Sequence, residues 1–247
     1  MSNTLVGSII TKAAATMGIA LPPAAAQMFE QYCDFLMQRN EHVNLTAITN
    51  TEDIARFHFL DSLALLNAAH FKNAKVLDIG SGAGFPGVVL KIAEPSIELT
   101  LLDATNKRIV FLKDLCQILG FDATFVHARA EEASHHSHSL KQELPSMREQ
   151  YDIVVSRAVA QLNALCELCL PYVRIGGTFL AMKSVASDDE LHEAMNAITL
   201  LGAEVIKTSQ YTIPDTSVRH RIIIIRKVSK TPDKYPRRFA RIEKKPL

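Results

Sequence analysis

Cysteine is scarce in this chain of 247 residues: there are four, and they do not form the paired sets that a structural zinc site needs. Cys166 and Cys169 are three apart in an apolar segment of helical character, so buried thiols are expected there. Free thiols make reduced, cytoplasmic surroundings the default expectation. His135, His136 and His138 lie close together in a polar segment, but no carboxylate or cysteine motif accompanies them, so no metal site is predicted.

Long apolar runs are also absent. No stretch is long enough to span a bilayer, and no basic segment precedes the mildly apolar N-terminus, so neither membrane association nor a signal peptide is predicted. The net charge of +1 by itself suggests no polyanionic partner. The charge is uneven, however, because nine basic and only two acidic residues lie within residues 226–247. This cationic end is compatible with contacts to nucleic acid or with a solvated, disordered terminus.

The most informative stretch is K-V-L-D-I-G-S-G-A-G-F-P-G at residues 75–87. A short apolar strand is followed at once by Gly80, Gly82 and Gly84, so the chain must turn tightly and approach a ligand closely before a helix begins. Strand, glycine loop and helix in this order are typical of a nucleotide-type binding crossover. Gly82, Gly84 and Gly87 also fit the G-x-G-x-x-G spacing of dinucleotide-binding proteins, which alone is weak evidence.

Two acidic residues help to separate the possible cofactors. Asp78 stands two residues before the first glycine, where a carboxylate would repel a pyrophosphate at the following helix N-terminus. S-adenosylmethionine carries no phosphate, and its methionine end bears an ammonium and a sulfonium that a carboxylate would favour. Asp103 ends the next apolar strand, where it could accept hydrogen bonds from both ribose hydroxyls of either cofactor. Asp78 therefore favours a methyltransferase over a nicotinamide-dependent dehydrogenase.

The chain divides into three parts by pattern. Residues 1–72 are predicted to be helical, with one helix beginning near Leu5 and a third one capped by Thr51. Residues 73–229 alternate strands and helices, which predicts an α/β fold with a doubly wound, mostly parallel sheet of seven strands. Two late strands without a helix between them predict an antiparallel strand. Residues 230–247 form the basic tail.

Polar residues at strand ends are the candidates for chemistry. Arg157 follows the strand predicted at 151–155 and Lys183 follows the next one, so both should face the crevice of the glycine loop. Arg157 is predicted to orient cofactor or substrate through charge-assisted hydrogen bonds, with an ion pair closing the strand end as the alternative. His58 and Asp61 share a face of the third helix, a spacing more typical of a surface pair than of a catalytic dyad.

Several short motifs, taken in their order and spacing, resemble the small-subunit ribosomal RNA methyltransferase G family, also called glucose-inhibited division protein B. The resemblance spans nearly the whole chain and implies a class I S-adenosylmethionine-dependent, Rossmann-like methyltransferase with an N-terminal helical extension. It rests on N-L-T at 44–46, H-F-L-D-S at 58–62, D-I-G-S-G-A-G-F-P-G at 78–87, L-L-D-A-T-N-K-R at 101–108, V-S-R-A at 155–158, Lys183, and T-P-D-K-Y-P-R-R at 231–238.

The activity that this resemblance implies is methylation of guanine N7 at one position of bacterial 16S rRNA. The implied partner is the 30S subunit or its assembly intermediate, and a monomeric enzyme is expected. Ser184 departs from many members, which have glycine there, and the loop at 134–150 is longer than in the relatives compared. Carried over by motif, the expected cofactor contacts are Gly80, Phe85, Asp103, Ala130, Glu131 and Arg157, to which the loop argument adds Asp78, Gly82 and Gly84.

Guanine N7 carries an in-plane lone pair and no proton, so its methylation needs positioning and no general base. The sequence fits that requirement, because Ser156-Arg157-Ala158 stands where other nucleic-acid methyltransferases carry a D/N-P-P-Y/F tetrapeptide or a Pro-Cys nucleophile. Lys183, His58 and Asp61 join Arg157 as candidates for positioning the guanine or a phosphate. The alternatives are a methyltransferase of another RNA, a protein or a small molecule, and an inactive module that binds S-adenosylmethionine or RNA.

Overall fold

A computed structural model describes residues 5–134, 146–157, 160–185 and 188–247. The histidines at 135, 136 and 138 lie outside the described residues, so the structure does not address the prediction about them. No helix within the described ranges combines the length and the apolarity that crossing a membrane requires. The α-helices are α1 (Leu5–Thr16), α2 (Ala25–Val43), α3 (Thr51–Ile54), α4 (Asp61–Leu63), α5 (Gly87–Ala93), α6 (Asn106–Leu119), α7 (Ala130–Ala133), α8 (Leu162–Cys169), α9 (Asp188–Leu200) and α10 (Phe239–Lys244).

Seven strands form one sheet in the order β3-β2-β1-β4-β5-β7-β6. The first five strands in that order are parallel, whereas β7 is antiparallel to both of its neighbours. Strand order reverses between β1 and β4, and a crevice therefore opens at the carboxyl ends of these two strands. The strands are β1 (Lys75–Ile79), β2 (Glu98–Asp103), β3 (Thr124–His127), β4 (Tyr151–Arg157), β5 (Val173–Ser184), β6 (Ala203–Thr212) and β7 (Arg219–Lys227).

The α/β fold and the antiparallel strand predicted from the sequence are confirmed. β7 lies between β5 and β6, and both faces of the strand are covered: Ile222 belongs to the hydrophobic cluster that includes the N-terminal helices, and Ile223 and Ile225 belong to the cluster on the other face. Insertion of β7 also brings the start of that strand beside the end of β5, since Ser184 pairs with His220. A histidine far along the chain is thus placed at the crevice.

The N-terminal helices share a core with the sheet. Phe29, Tyr32 and Phe59 are fully buried in the same hydrophobic cluster as Val88 of α5 and Leu112 of α6. The Phe29 and Phe59 rings meet at 5.1 Å between centroids. Helix α2 is thereby held against the helices that follow β1 and β2. The division of the chain at residue 72 stays a prediction.

The third helical segment differs from the prediction in two respects. Asn50, not Thr51, caps it: Asn50 Oδ1 accepts hydrogen bonds from the backbone N–H of Glu52 (2.9 Å) and Asp53 (3.1 Å). Between α3 and α4 the chain forms a π-helix at Ala55–Leu60. This wider turn carries His58, and π-helical turns occur frequently at functional sites.

Glycine and proline also mark the elements beside the crevice. Strand β5 runs from Val173 to Ser184, and Gly176, with φ +84°, lies within it. Pro86 directly precedes α5.

The basic tail packs on the protein. Arg237 donates to Glu167 through Nε (2.8 Å) and Nη2 (2.7 Å), and Tyr235 and Ile242 are buried. Lys227, which ends β7, is fully buried and donates to Leu170 O (2.7 Å); burial lowers its pKa to about 8. The idea of a disordered end is therefore wrong for the described tail. Of the nine basic residues within residues 226–247, at least Lys227 and Arg237 therefore make contacts inside the protein.

Candidate active site

The glycine loop is held by backbone hydrogen bonds and by α2. Gly80 N and Ser81 N donate to Leu102 O (2.9 and 3.1 Å), and Tyr32 Oη donates to Ala83 O (2.5 Å). Gly84 has φ +99°, and a Cβ built there would lie 2.5 Å from Tyr32 Oη. Gly84 is therefore required by the loop conformation and by the close approach of α2.

Asp78 lies beneath this loop and is fully buried. Its Oδ2 accepts a hydrogen bond from Gly87 N (2.8 Å), while its Oδ1 is buried without a hydrogen-bond partner among the described residues. Burial raises the pKa of Asp78 to about 7, although the Gly87 hydrogen bond and the charge of Arg157 both act to lower it. A cationic group in the crevice would lower this pKa again and favour the carboxylate.

Asp103 ends β2 with its carboxylate already oriented. Its Oδ2 accepts from Gly82 N (2.9 Å), its Oδ1 accepts from Thr105 N (2.8 Å), and Arg108 Nη1 lies 3.4 Å from Oδ2. Oδ1 accepts from one donor and keeps a second lone pair for a ligand, whereas Oδ2 already faces two donors. Ala128 N donates to Asp103 O (3.3 Å), which places the segment leading into α7 beside this acid.

The glycine loop forms one wall of a cavity of about 420 Å³, here named the loop cavity. Of the predicted cofactor contacts, Gly80, Gly82, Phe85 and Arg157 line it. Asp78, Gly84, Asp103, Ala130 and Glu131 are not among its lining residues. Asp78 and Asp103 lie beneath or beside the loop, Gly84 belongs to the loop itself, and Ala130 and Glu131 belong to α7. The lining residues are Leu45, Thr46, His58, Gly80, Ser81, Gly82, Ala83, Phe85, Arg108 and Arg157.

His58 and Arg157 form a wall over Phe85. The His58 and Phe85 rings stack with centroids 4.5 Å apart, and the Arg157 guanidinium carbon lies 4.9 Å from the Phe85 centroid. His58 Nδ1 lies 3.2 Å from Arg157 Nη2, which can only donate, and 3.2 Å from Phe57 O, which can only accept, and His58 Nε2 forms a 2.7 Å hydrogen bond with Thr46 Oγ1. Burial, and then the Arg157 charge, lower the pKa of His58 to about 4. His58 is thus a neutral ring with both nitrogens engaged.

Asp61, which also contacts Arg157, accepts hydrogen bonds from three side chains. Its Oδ1 accepts from Tyr211 Oη (2.6 Å) and His220 Nδ1 (2.7 Å), and its Oδ2 accepts from Arg157 Nη1 (3.2 Å). Burial would raise the pKa of Asp61, but the His220 hydrogen bond, the Arg157 charge and the Tyr211 hydrogen bond together hold it below 3.8. The Asp61 hydrogen bond in turn raises the pKa of His220, against a smaller effect of burial.

A second cavity, of about 620 Å³, lies beyond this wall and is here named the strand-end cavity. It has His58 and Arg157 in common with the loop cavity, so these two side chains are where the two spaces meet. All four residues predicted to position the substrate line it. The lining residues are Phe57, His58, Asp61, Arg157, Ala160, Met182, Lys183, Ser184, Glu190 and His220.

Lys183 lines the strand-end cavity, and two acceptors hold its ammonium group in place. Its Nζ donates to Ala160 O and to Glu190 Oε1 (3.1 Å). The Arg157 ion pair with Asp61 at 3.2 Å confirms the strand-end ion pair that the sequence left as an alternative, but Arg157 also faces both cavities. The two interpretations of Arg157 are therefore compatible.

Sequence reasoning found His58, Asp61, Arg157 and Lys183 but missed Tyr32, Tyr211, Glu190 and His220. His58 and Asp61 each contact Arg157, an arrangement that their helical spacing does not reveal. The available signal for His220 was its position at the start of an antiparallel strand, which places it at the carboxyl edge of the parallel strands. Tyr211 pairs with His220 across β6 and β7 and follows from the same register.

A sequence profile described as "rRNA small subunit methyltransferase G" matches residues 25–219. Proteins named ribosomal RNA small subunit methyltransferase G are similar over nearly their full length. The one from Alkaliphilus metalliredigens is 42% identical over 233 residues, covering 94% of each chain. The one from Clostridium novyi is 40% identical over 248 residues, covering 100% of this chain and 99% of the relative.

Solved structures show the same fold at low sequence identity. A putative methyltransferase from Bacillus halodurans has a TM-score of 0.51 at 15% identity, covering 68% of this chain and 99% of its own. The ribosomal protein L11 methylase from Lactobacillus delbrueckii has a TM-score of 0.50 at 11% identity, covering 74% and 81%. These likenesses identify the class I methyltransferase fold. The profile match and the relatives at 40–42% identity establish that the chain belongs to the ribosomal RNA small subunit methyltransferase G family.

Proposed function

We propose that this chain transfers a methyl group from S-adenosylmethionine to N7 of a guanine in bacterial 16S rRNA. The observation that carries the choice of N7 is that both candidate bases at the wall are unavailable. His58 is neutral with its two nitrogens engaged, and Asp61 accepts three hydrogen bonds. An atom that loses no proton suits a site in which the polar groups hold one another in place.

The loop cavity fits S-adenosylmethionine. Gly80, Gly82, Phe85 and Arg157 would hold it, with Asp103 at the ribose and with Ala130 and Glu131 toward the adenine, as the family resemblance implies. The buried Asp78 carboxylate, with its unpartnered oxygen, adds a negative charge beneath the loop that suits a cationic ligand and disfavours a pyrophosphate. When bound, S-adenosylmethionine supplies an electrophilic methyl group, and the new N7–CH₃ bond forms as the S–CH₃ bond breaks, with the positive charge passing to the purine.

The chain's own residues act by positioning. Arg157 is fixed by Asp61, Phe57 O and His58, so its guanidinium plane stays at the junction of the two cavities. Phe85 supports that plane from beneath. Water has few unsatisfied polar groups to bind at this wall, and a reacting base can take its place there.

RNA binding rests in this proposal on phosphate contacts from exposed cations. Six such side chains lie on the tail: Lys230, Lys234, Arg238, Arg241, Lys244 and Lys245. Deleting the whole tail is a poor test, because Thr231, Tyr235 and Ile242 are buried in the protein. Replacing the three exposed residues Arg241, Lys244 and Lys245 by glutamine should lower the slope of log affinity against log salt by about 0.7 per lost phosphate contact. Lys207→Gln on β6 is the matched control, and an unchanged slope in the triple variant would exclude this role of the tail.

The direct test is transfer of labelled methyl to 30S subunits from cells that lack this protein, with naked rRNA alongside. The product is mapped by chemical cleavage at N7-methylguanine. Label at a single guanine supports the proposal, and the preferred form of RNA identifies the partner. Absence of label with cofactor binding intact would favour another methyl acceptor or an inactive binding module. The proposed setting is a monomeric enzyme in the bacterial cytoplasm.

A further inference from the structure

We infer that Glu190 reads the Watson–Crick edge of the target guanine in the strand-end cavity and thereby selects guanine over other bases. The inference deepens the proposed function and rests on it. Glu190 is in the first turn of α9, outside every motif that the sequence analysis singled out. It is nevertheless one of the residues that line the cavity.

The contacts of Glu190 leave acceptor capacity for a ligand. Oε1 accepts from Lys183 Nζ (3.1 Å), whereas Oε2 lies 3.0 Å from that nitrogen yet has no hydrogen-bond partner among the described residues. Oε2 is therefore paired with the Lys183 charge but lacks an aligned donor, and the Glu190 side chain is 26% exposed, so a ligand in the cavity can supply that donor. Rotation of the terminal carboxylate is a soft torsion, so Oε2 can turn toward a donor in the cavity. The Lys183 ammonium holds the carboxylate in place, and once Oε2 has turned away, one of the three N–H groups of Lys183 is left for a ligand.

The order of groups around the cavity matches the order of groups around guanine. Going along its edges, guanine presents the N2 amino group, the N1–H, the O6 oxygen and then N7. In the cavity the Glu190 carboxylate contacts Lys183, and Arg157 lines the same cavity from the neighbouring strand, where its backbone pairs with Met182, the residue before Lys183. A carboxylate accepting from N2 and N1, with an ammonium donating to O6, turns N7 toward the wall that faces the loop cavity.

The same pair of charges rejects other bases. Adenine presents an unprotonated N1 to the carboxylate and an amino group to the ammonium, so each contact would become repulsive or unpaired. Glu190 also favours the product side of the reaction, because the purine becomes positively charged as N7 is methylated. A purely structural ion pair between Lys183 and Glu190 would have neither property.

The test uses rRNA in which the mapped guanine is replaced by inosine through ligation of a synthetic oligonucleotide. Inosine keeps N7, O6 and N1–H and lacks only the N2 amino group. For the wild-type enzyme, kcat/KM should fall about tenfold or more with inosine, as expected for loss of a hydrogen bond to a charged acceptor. Glu190→Gln should lower kcat/KM on the guanine substrate by a similar factor, reduce the inosine penalty to twofold or less, and leave S-adenosylmethionine affinity unchanged.

Glu193→Gln, an exposed substitution one turn later on α9, is the matched control and should keep the full inosine penalty. A wild-type enzyme that methylates guanine and inosine equally would overturn the inference whatever the variant does. An undiminished penalty in Glu190→Gln would overturn it as well. Failure of the wild-type enzyme to methylate guanine N7 at all is a distinct result, because that outcome refutes the proposed function first.

Discussion

The loop cavity and the strand-end cavity are built by different kinds of interaction. The glycine loop is held by backbone hydrogen bonds between segments that directly follow β1 and β2, supported by two buried acids. The strand-end cavity is held by side chains from the third helical segment and from β4, β5, β6, β7 and α9. The first kind of site depends on backbone geometry, and the second depends on pairs of charges. Substitutions should therefore damage the two cavities in different ways.

Arg157 belongs to both cavities, so its loss should have the largest effect. Arg157→Ala would remove the guanidinium partner of Asp61, whose side chain is 3% exposed; because His220 and Tyr211 remain, the cost should lie at the lower end of the about 3–5 kcal/mol of unfolding free energy that breaking a buried pair takes. Methyl transfer should fall at least 100-fold, a factor that corresponds to about 2.7 kcal/mol of barrier. Both are measurable by denaturant titration and single-turnover assay.

Arg174→Ala removes an ion pair with Asp152 that is largely exposed, and serves as the control for Arg157. It should cost at most about 1 kcal/mol and leave methyl transfer unchanged. Equal effects of the two substitutions would contradict the view that Arg157 joins the cavities.

The two histidines of the site should respond oppositely to pH. The pKa of His58 is lowered to about 4, so the unfolded chain binds more protons below pH 6.5 and stability falls as the pH drops from 6.5 toward 4. The full shift of the His58 pKa, from 6.5 to about 4, corresponds to about 3 kcal/mol of unfolding free energy. The raised pKa of His220 contributes stability that is present below 6.5 and lost as pH rises through its folded pKa. Unfolding free energies against pH should show the His58 slope disappear in His58→Gln and persist in His220→Gln.

Gly84→Ala should separate packing from backbone strain in the glycine loop. The new Cβ would lie 2.5 Å from Tyr32 Oη at φ +99°, so the loop must shift, at a cost of about 2 kcal/mol, and S-adenosylmethionine affinity should fall. Gly18 also has a positive φ, but a Cβ built there would have no atom within 4 Å. Gly18→Ala therefore introduces only the backbone strain and should cost about 1 kcal/mol. Equal destabilisation by the two substitutions would show that contact with α2 does not shape the loop.

Tyr211→Phe should act on the strand-end cavity alone. It removes the 2.6 Å hydrogen bond to Asp61 at a cost of about 1 kcal/mol, because Asp61 keeps its other donors. Methyl transfer should slow while S-adenosylmethionine affinity, measured by calorimetry, is unchanged. Tyr151→Phe, which loses a long 3.4 Å contact to Thr100, is the control. A loss of cofactor affinity in Tyr211→Phe would contradict the separation of the two cavities.

The difference between the cavities also explains what could be predicted from sequence. The glycine loop and Asp103 were predictable because they follow β1 and end β2, and successive strands joined by one helix commonly lie side by side in a parallel sheet. The cluster around Asp61 was not, because its partners Arg157, Tyr211 and His220 are 96, 150 and 159 residues away. Glycine at 84 was assigned to ligand approach, whereas the structure shows that packing against Tyr32 requires it. Helical spacing placed His58 and Asp61 together without revealing that each binds Arg157.

The wall of His58, Asp61 and Arg157 positions a base without removing a proton. The most direct test is the single-turnover rate of methyl transfer to guanine N7 of small-subunit rRNA as a function of pH, with both substrates saturating. Without a general base, the rate should be flat between about pH 6.5 and 8.5. A rate that rises tenfold per pH unit in that range would mean that a group must lose a proton before transfer, and the account of His58, Asp61 and Arg157 as positioning residues would be wrong.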